Sequence, residues 1–266
     1  MKVLFLFLIL VVGFLLFVIY LESKSVFYPA KNISHSPDEA GLPFEDVFIP
    51  IQGNCIHGWF ISRPQHTKTV IFSHGNGGNI GDRLDKLYLF DRIGLNILIY
   101  DYQGYGKSTG NPSEKGLYQE AEAIYKYLTE ERNIKPASII VYGESLGGAV
   151  AVDLASKKDI GGLILDSTFS SARDMAKYIY PFIPGFLVRT KLDSLSKIRW
   201  VKAPKLFFHS KADGTVPYEL AQKLYNAADG KKKFVEIQGG HNDNYEQSGE
   251  TFYQEIKTFV NNLENR

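Results

Sequence analysis

The chain is short of sulfur and has no charge excess, and each lack closes off a class of protein. Cys55 is the only cysteine among 266 residues, which excludes an intrachain disulfide and a zinc site built on cysteines. It leaves the compartment open, because a protein without disulfides works on either side of a membrane. Against 30 Lys and Arg stand 29 Asp and Glu, a formal net charge of +1. That balance gives no footprint for a nucleic acid and no acidic tail. The one dense basic run, Lys231-Lys232-Lys233, reads as a solvated turn before a strand. Histidine is scarce too, and His241-Asn242-Asp243 is too sparse to suggest a metal site. No internal repeat or low-complexity tract occurs. What remains is ordinary globular composition, 44% hydrophobic and 14% aromatic, at a length that suits one large α/β domain. No residue pattern specifies an oligomeric state.

The first segment differs from the rest. "VLFLFLILVVGFLLFVIYL", Val3 to Leu21, is apolar without a charge, bracketed by Lys2 and by Glu22-Ser23-Lys24. A helix of that length crosses a hydrocarbon core of about 30 Å. A cleaved signal peptide normally has a shorter apolar stretch and a small-x-small site, and "YLESKS" is a poor one. Residues 1–24 are therefore expected to be a single-pass membrane anchor. Lys2 and the amino terminus oppose Lys24 and Lys31 almost evenly, so the side of the membrane stays open. Residues 25–42 read as a polar connector and 43–266 as the folded domain.

Within that domain, "FEDVFIPIQGNCIHGWFIS" alternates on both sides of Gly53-Asn54, the pattern of a tight antiparallel hairpin. Six runs then follow, at Thr69–Gly75, Asn96–Tyr102, Ser138–Gly143, Gly162–Ser167, Lys205–Ser210 and Lys233–Gly239. Continuous apolar runs are expected of parallel strands covered on both faces. Between and after them, Leu117, Ala121, Ile124 and Leu128 recur at helical spacing, as do Phe252, Ile256, Phe259, Val260 and Leu263. The expectation is an α/β fold with a mostly parallel sheet, helices on both faces, and ligands beyond the strands' carboxyl ends. Residues 167–203 break the alternation and read as a cap insertion. Its Tyr178, Tyr180, Phe182 and Phe186 fit an acyl channel or ordinary packing.

"SIIVYGESLGG" places Ser145 between a strand and a helix expected from about Gly147 to Ser156. In such a sharp turn a serine is exposed as a nucleophile, and Gly143 and Gly147 avoid collision with it. The helix N-terminus behind it favours a developing oxyanion, with the Leu146 N–H as one donor.

With this motif the chain resembles the α/β-hydrolase superfamily over nearly everything after residue 24. The resemblance implies the order nucleophile, acid, histidine. It assigns the acid to Asp213 in "HSKADGTVP" and the base to His241 in "IQGGHND"; Ser210 stands where such proteins usually have glycine. Asp166, one strand earlier, is the rival acid, otherwise explained as a cap on the start of the insertion. The resemblance also places the second oxyanion donor at Asn76 in "SHGNGGN", a cluster without the Lys-Ser/Thr ending of a phosphate loop. "YDYQGYGKSTG" is similar to a segment of membrane-anchored members, with Gln103 where arginine is usual. There it braces the loop beneath the site, which is the reading given to Asp101. That branch includes depalmitoylases, monoacylglycerol and lysophospholipid lipases, and aminopeptidase-like relatives. The expectation is a membrane-anchored serine hydrolase acting on a small or lipid-like acyl ester or thioester, without cofactor or metal. A peptidase or amidase, and a non-catalytic binding protein of the same fold, are the alternatives.

Overall fold

The computed structural model describes residues 2–264. Each apolar run is a strand: β1 (Glu45–Ile51), β2 (Asn54–Ile61), β3 (Lys68–Ser73), β4 (Leu95–Tyr100), β5 (Ile139–Glu144), β6 (Gly162–Asp166), β7 (Lys205–Ser210) and β8 (Lys232–Ile237). They form one sheet in the order β1-β2-β4-β3-β5-β6-β7-β8. The pairs β1–β2 and β2–β4 are antiparallel, and the others are parallel. The helices are α1 (Lys2–Ser25), α2 (Leu84–Ile93), α3 (Glu114–Lys126), α4 (Leu146–Lys157), α5 (Ala172–Ile179), α6 (Tyr218–Ala227) and α7 (Asn244–Glu264).

The lack of alternation in the central strands has a direct cause. In β5, Ile139 and Val141 join the core under α3, α4 and α6, while Ile140 and Tyr142 join the core under α2 and α7. With both faces covered, Ile139 to Tyr142 are apolar without alternation. Fully burying each such side chain is worth about 1.5–3 kcal/mol relative to leaving it exposed.

Two local expectations are corrected. The hairpin turns at Gln52-Gly53, one residue earlier than expected, because Ile51 pairs with Asn54. Gln52 and Gly53 take φ of 46° and 81°, the left-handed pair that matches the twist of a tight hairpin. The lysine run is a solvated bend only at Lys231, and the strand after it starts one residue earlier than expected. Lys232 and Lys233 lie in the edge strand β8, with the Lys232 amine donating to the Tyr225 and Ala228 carbonyls and Lys233 bonded to Glu255. Lysines on an edge strand discourage further pairing.

Helix α1 stands out from this body. Lys2–Glu22 contains an 18-residue stretch of mean hydropathy 3.2 and is long and apolar enough to cross a bilayer. Among its described side chains only Val18 is buried, at 4% exposed. After α1 the chain runs along the body rather than away from it. Tyr28–Pro29 makes a two-residue parallel bridge with Gly77–Gly78. Between β6 and β7 lie α5 and two 3₁₀ turns, Gly185–Leu187 and Ile198–Trp200.

Candidate active site

Ser145 occupies the turn from β5 into α4 with φ 51° and ψ −115°. That region costs a non-glycine residue about 1–3 kcal/mol, so the surroundings must impose it. The Ser145 N–H donates to the Asp166 carbonyl at 2.8 Å, and the Thr168 hydroxyl donates to the Ser145 carbonyl at 2.7 Å. A side chain on Gly143 would lie 2.6 Å from the Gly148 Cα, and one on Gly147 would lie 2.6 Å from the His74 carbonyl oxygen. Only glycine allows the turn to close. Leu146, the first residue of α4, presents an N–H that has no partner within the helix by position, at the positive end of its dipole.

His241 and Asp213 reach Ser145 from two other loops. His241 Nε2 lies 3.0 Å from Ser145 Oγ, and Nδ1 lies 2.7 Å from Asp213 Oδ2. Asp213 Oδ1 accepts the amides of Thr215 and Val216, each at 2.8 Å. Burial pushes the Asp213 carboxyl up, but His241 and those amides outweigh it and hold it below its ordinary value. An ionised carboxylate can only accept, so Nδ1 carries the proton and Nε2 offers its lone pair to the serine hydroxyl. His209 Nε2 donates to the Val216 carbonyl at 2.9 Å and so fixes the loop that holds Asp213.

The loop that carries Asn76 is braced from below. The Tyr102 hydroxyl donates to the His74 carbonyl and the Tyr105 hydroxyl to the Asn76 carbonyl, both at 2.7 Å. Tyr105 also accepts the Tyr28 amide at 3.2 Å. Asp101 lies between His74 Nε2 at 3.6 Å and His57 Nδ1 at 3.9 Å, and accepts the Ile80 amide at 3.0 Å. Burial pulls the His74 imidazole down to about 4, which keeps it neutral beneath the loop. Asn76 and Leu146 line one cavity together with Ser145. Among the described residues, no three His, Cys, Asp or Glu side chains are grouped to hold a metal ion.

Known proteins resemble this chain in sequence and in fold. A family model described as serine aminopeptidase, S33, matches residues 64–199. An uncharacterized protein of Mycobacterium tuberculosis, Rv2307c, is 32% identical over 258 residues, covering 93% of this chain and 90% of its own. The uncharacterized membrane protein YNL320W of Saccharomyces cerevisiae is 34% identical over 241 residues, covering 87% and 84%. The chain belongs to this family of α/β-hydrolases. The structure of the Pyrococcus furiosus esterase Pf2001 superposes with a TM-score of 0.76 at 20% identity, covering 90% of this chain and 98% of that one; it shares the fold.

The hydrolase also holds groups that the sequence reading missed or misplaced. Asp166 does not cap the insertion. Its buried carboxylate takes the Lys86 amine at 2.7 Å, the Tyr142 hydroxyl at 2.5 Å and the Ser167 hydroxyl at 2.9 Å. Lys86 also bonds Glu144 at 2.9 Å, and Arg83 reaches Glu144 at 3.4 Å. Burial alone would raise the Glu144 carboxyl, but Arg83 and Lys86 hold it at about 2. Burial would lower the Lys86 amine, and Asp166 and Glu144 overcome it. This network ties α2 to the ends of β5 and β6, beside the serine turn. Of its members the sequence singled out Asp166 alone, as a strand end, while Arg83, Lys86 and Glu144 follow no spacing rule.

The aromatic segment is also rearranged. Of the four side chains expected at a channel, Tyr180 alone lines the cavity at Ser145. Tyr178, Phe182 and Phe186 are exposed, Phe186 at 81%, so neither channel nor packing describes them. The cavity, about 200 Å³, is walled instead by Met175, Ile179, Ile183, Val188 and Leu192 of the same region. Helical spacing in α5 turns Ala172, Met175, Ala176 and Ile179 inward.

Proposed function

We propose that this α/β-hydrolase is a membrane-anchored serine hydrolase that cleaves carboxylic esters or thioesters of apolar acyl groups. The observation that carries the proposal is His241, within hydrogen-bond distance of both Asp213 and Ser145, where Ser145 lines an apolar cavity. The Ser145 hydroxyl attacks the acyl carbon while His241 Nε2 takes its proton. Asp213 holds the imidazole in the correct tautomer and stabilises the imidazolium. The amides of Asn76 and Leu146 stabilise the oxyanion, a contribution worth about 10²–10³ in rate per donor. His241 then gives the proton to the departing alcohol or thiol, and an acyl group stays on Ser145. Water, activated by the same imidazole, attacks that ester and restores the serine.

Retention of α1 as a single-pass anchor is supported by its length and hydropathy and by the description of YNL320W as a membrane protein. A series of p-nitrophenyl esters tests the reading. Turnover rising from acetate to longer chains supports it, and equal turnover at every length removes the acyl preference.

A peptidase reading draws on the family description. An aminopeptidase needs an anion for the substrate's ammonium group. Glu22 is the carboxylate lining the cavity, and it is already occupied by the amides of Arg189 and Thr190. Release of an aminoacyl fluorophore without ester turnover would reverse the preference.

A further inference from the structure

The cavity beside Ser145 is closed on one side by the membrane helix itself. Val18, Leu21, Glu22 and Ser25 of α1, followed by Val26, line it together with the α5 region. These positions recur every three or four residues, so they form one stripe on the helix. Val18, the buried residue of that stripe, contrasts with Leu16, 61% exposed on the far side. At about 1.5 Å per residue, Val18 lies roughly 10 Å further along the axis than Ser25. The cavity wall thus continues from the polar end of α1 into its hydrocarbon-facing length.

Polar contacts hold the helix in that position. The Glu22 carboxylate accepts the Arg189 and Thr190 amides of the insertion, and the Ser25 and Tyr180 hydroxyls lie 3.4 Å apart. The same insertion exposes Tyr178, Ile179, Phe182 and Phe186, and Ile179 also lines the cavity. Aromatic and aliphatic side chains exposed beside a spanning helix suit the boundary between headgroups and acyl chains. An apolar cavity with a lipid-facing helix as its wall has its natural entrance from the bilayer, where an acyl chain moves into it without crossing water.

Resting on the hydrolase reading above, we infer that the end of α1 is a specificity-determining wall of the acyl site. The substrate is the acyl chain of a lipid ester resident in the bilayer, which enters beside α1 and Ile179. On this inference α1 is more than a tether, and its removal as a signal peptide would open the site to water.

The test uses full-length protein in phosphatidylcholine nanodiscs, with a series of p-nitrophenyl esters running from acetate through decanoate to palmitate as probes. Val18→Trp and Leu21→Trp fill the cavity from the helix side, and Leu16→Trp adds the same bulk facing lipid. The ratio of kcat/KM for decanoate to that for acetate is expected to fall about tenfold or more in the first two variants, and to hold in the third. Leu21→Ala, which enlarges the cavity without strain, is expected to move the preferred chain length upward. An unchanged ratio and an unchanged optimum, or the same change in all three tryptophan variants, overturns the inference while leaving the hydrolase reading intact. A folded wild-type protein that turns over neither ester and does not react with a fluorophosphonate overturns both.

Discussion

His241 Nε2 lies 3.0 Å from Ser145 Oγ although 96 residues separate them in the chain. Nothing local brings them together. Ser145 is held at the end of β5 by its own turn, and His241 follows β8, at the far edge of the sheet. The parallel topology places both loops at the same rim, and Asp213, after β7, completes the line from between them.

The two strand-end aspartates are expected to separate cleanly. Asp213→Asn leaves the fold in place but removes the carboxylate that sets the imidazole tautomer, so kcat should fall about 10⁴-fold with little change in melting temperature. Asp166→Asn disturbs the bonds to Lys86 and Tyr142, so stability should fall by on the order of 3 kcal/mol. Denaturant titration and steady-state kinetics on both variants give the comparison, and a larger kcat loss in Asp166→Asn would reverse the assignment.

Tyr105→Phe removes the hydroxyl that holds the Asn76 carbonyl. If Asn76 is an oxyanion donor, the loosened loop lowers kcat by about tenfold, short of the ~10²–10³ lost with a donor itself. KM should hardly move, because the contact acts on the transition state.

Glu144 gives a pH signature of one sign. Its carboxyl is held at about 2 in the folded protein against an ordinary 4.5. The stabilisation is therefore fully present above pH 4.5 and is lost as pH falls toward 2. Glu144→Gln should cost on the order of 3 kcal/mol at neutral pH. That gap from wild type should shrink through the acid range, as measured by urea unfolding at several pH values.

Glu120 gives the opposite sign. Burial pushes its carboxyl up to about 8, only partly offset by the Gln103 amide. The folded state holds a proton that the unfolded chain releases near 4.5, so stability declines as pH rises from 4.5 to 8. Glu120→Gln should remove that slope and raise the melting temperature more at pH 8.5 than at pH 5. An equal change at both would place the ionised carboxylate in the folded protein.

The sheet and its flanking helices were readable because apolar runs and helical spacing are local signals of burial, the first shown by β5 and the second by α3 and α7. Ser145 was readable because the geometry of its turn demands glycine at two fixed offsets. Asp213 and His241 carry no such local demand. They were placed by the chain order of a resembling family, and only the folded sheet shows their distance from the serine. The Lys86–Glu144–Asp166 network left no trace in spacing, since its three members come from different elements. The cavity wall was hidden for another reason. An all-apolar α1 signals a bilayer and carries no mark of which face meets protein, and the exposed aromatics of the insertion resembled a channel lining only by composition.

An alkyl fluorophosphonate reacts with a serine hydroxyl only when its proton can be taken, so it tests the joint action of Ser145, His241 and Asp213 directly. Intact-mass and peptide analysis of the full-length protein should show one adduct, on Ser145, with none in Ser145→Ala and slow labelling in His241→Ala. A folded wild-type protein that stays unlabelled, or an adduct that survives Ser145→Ala, would contradict it.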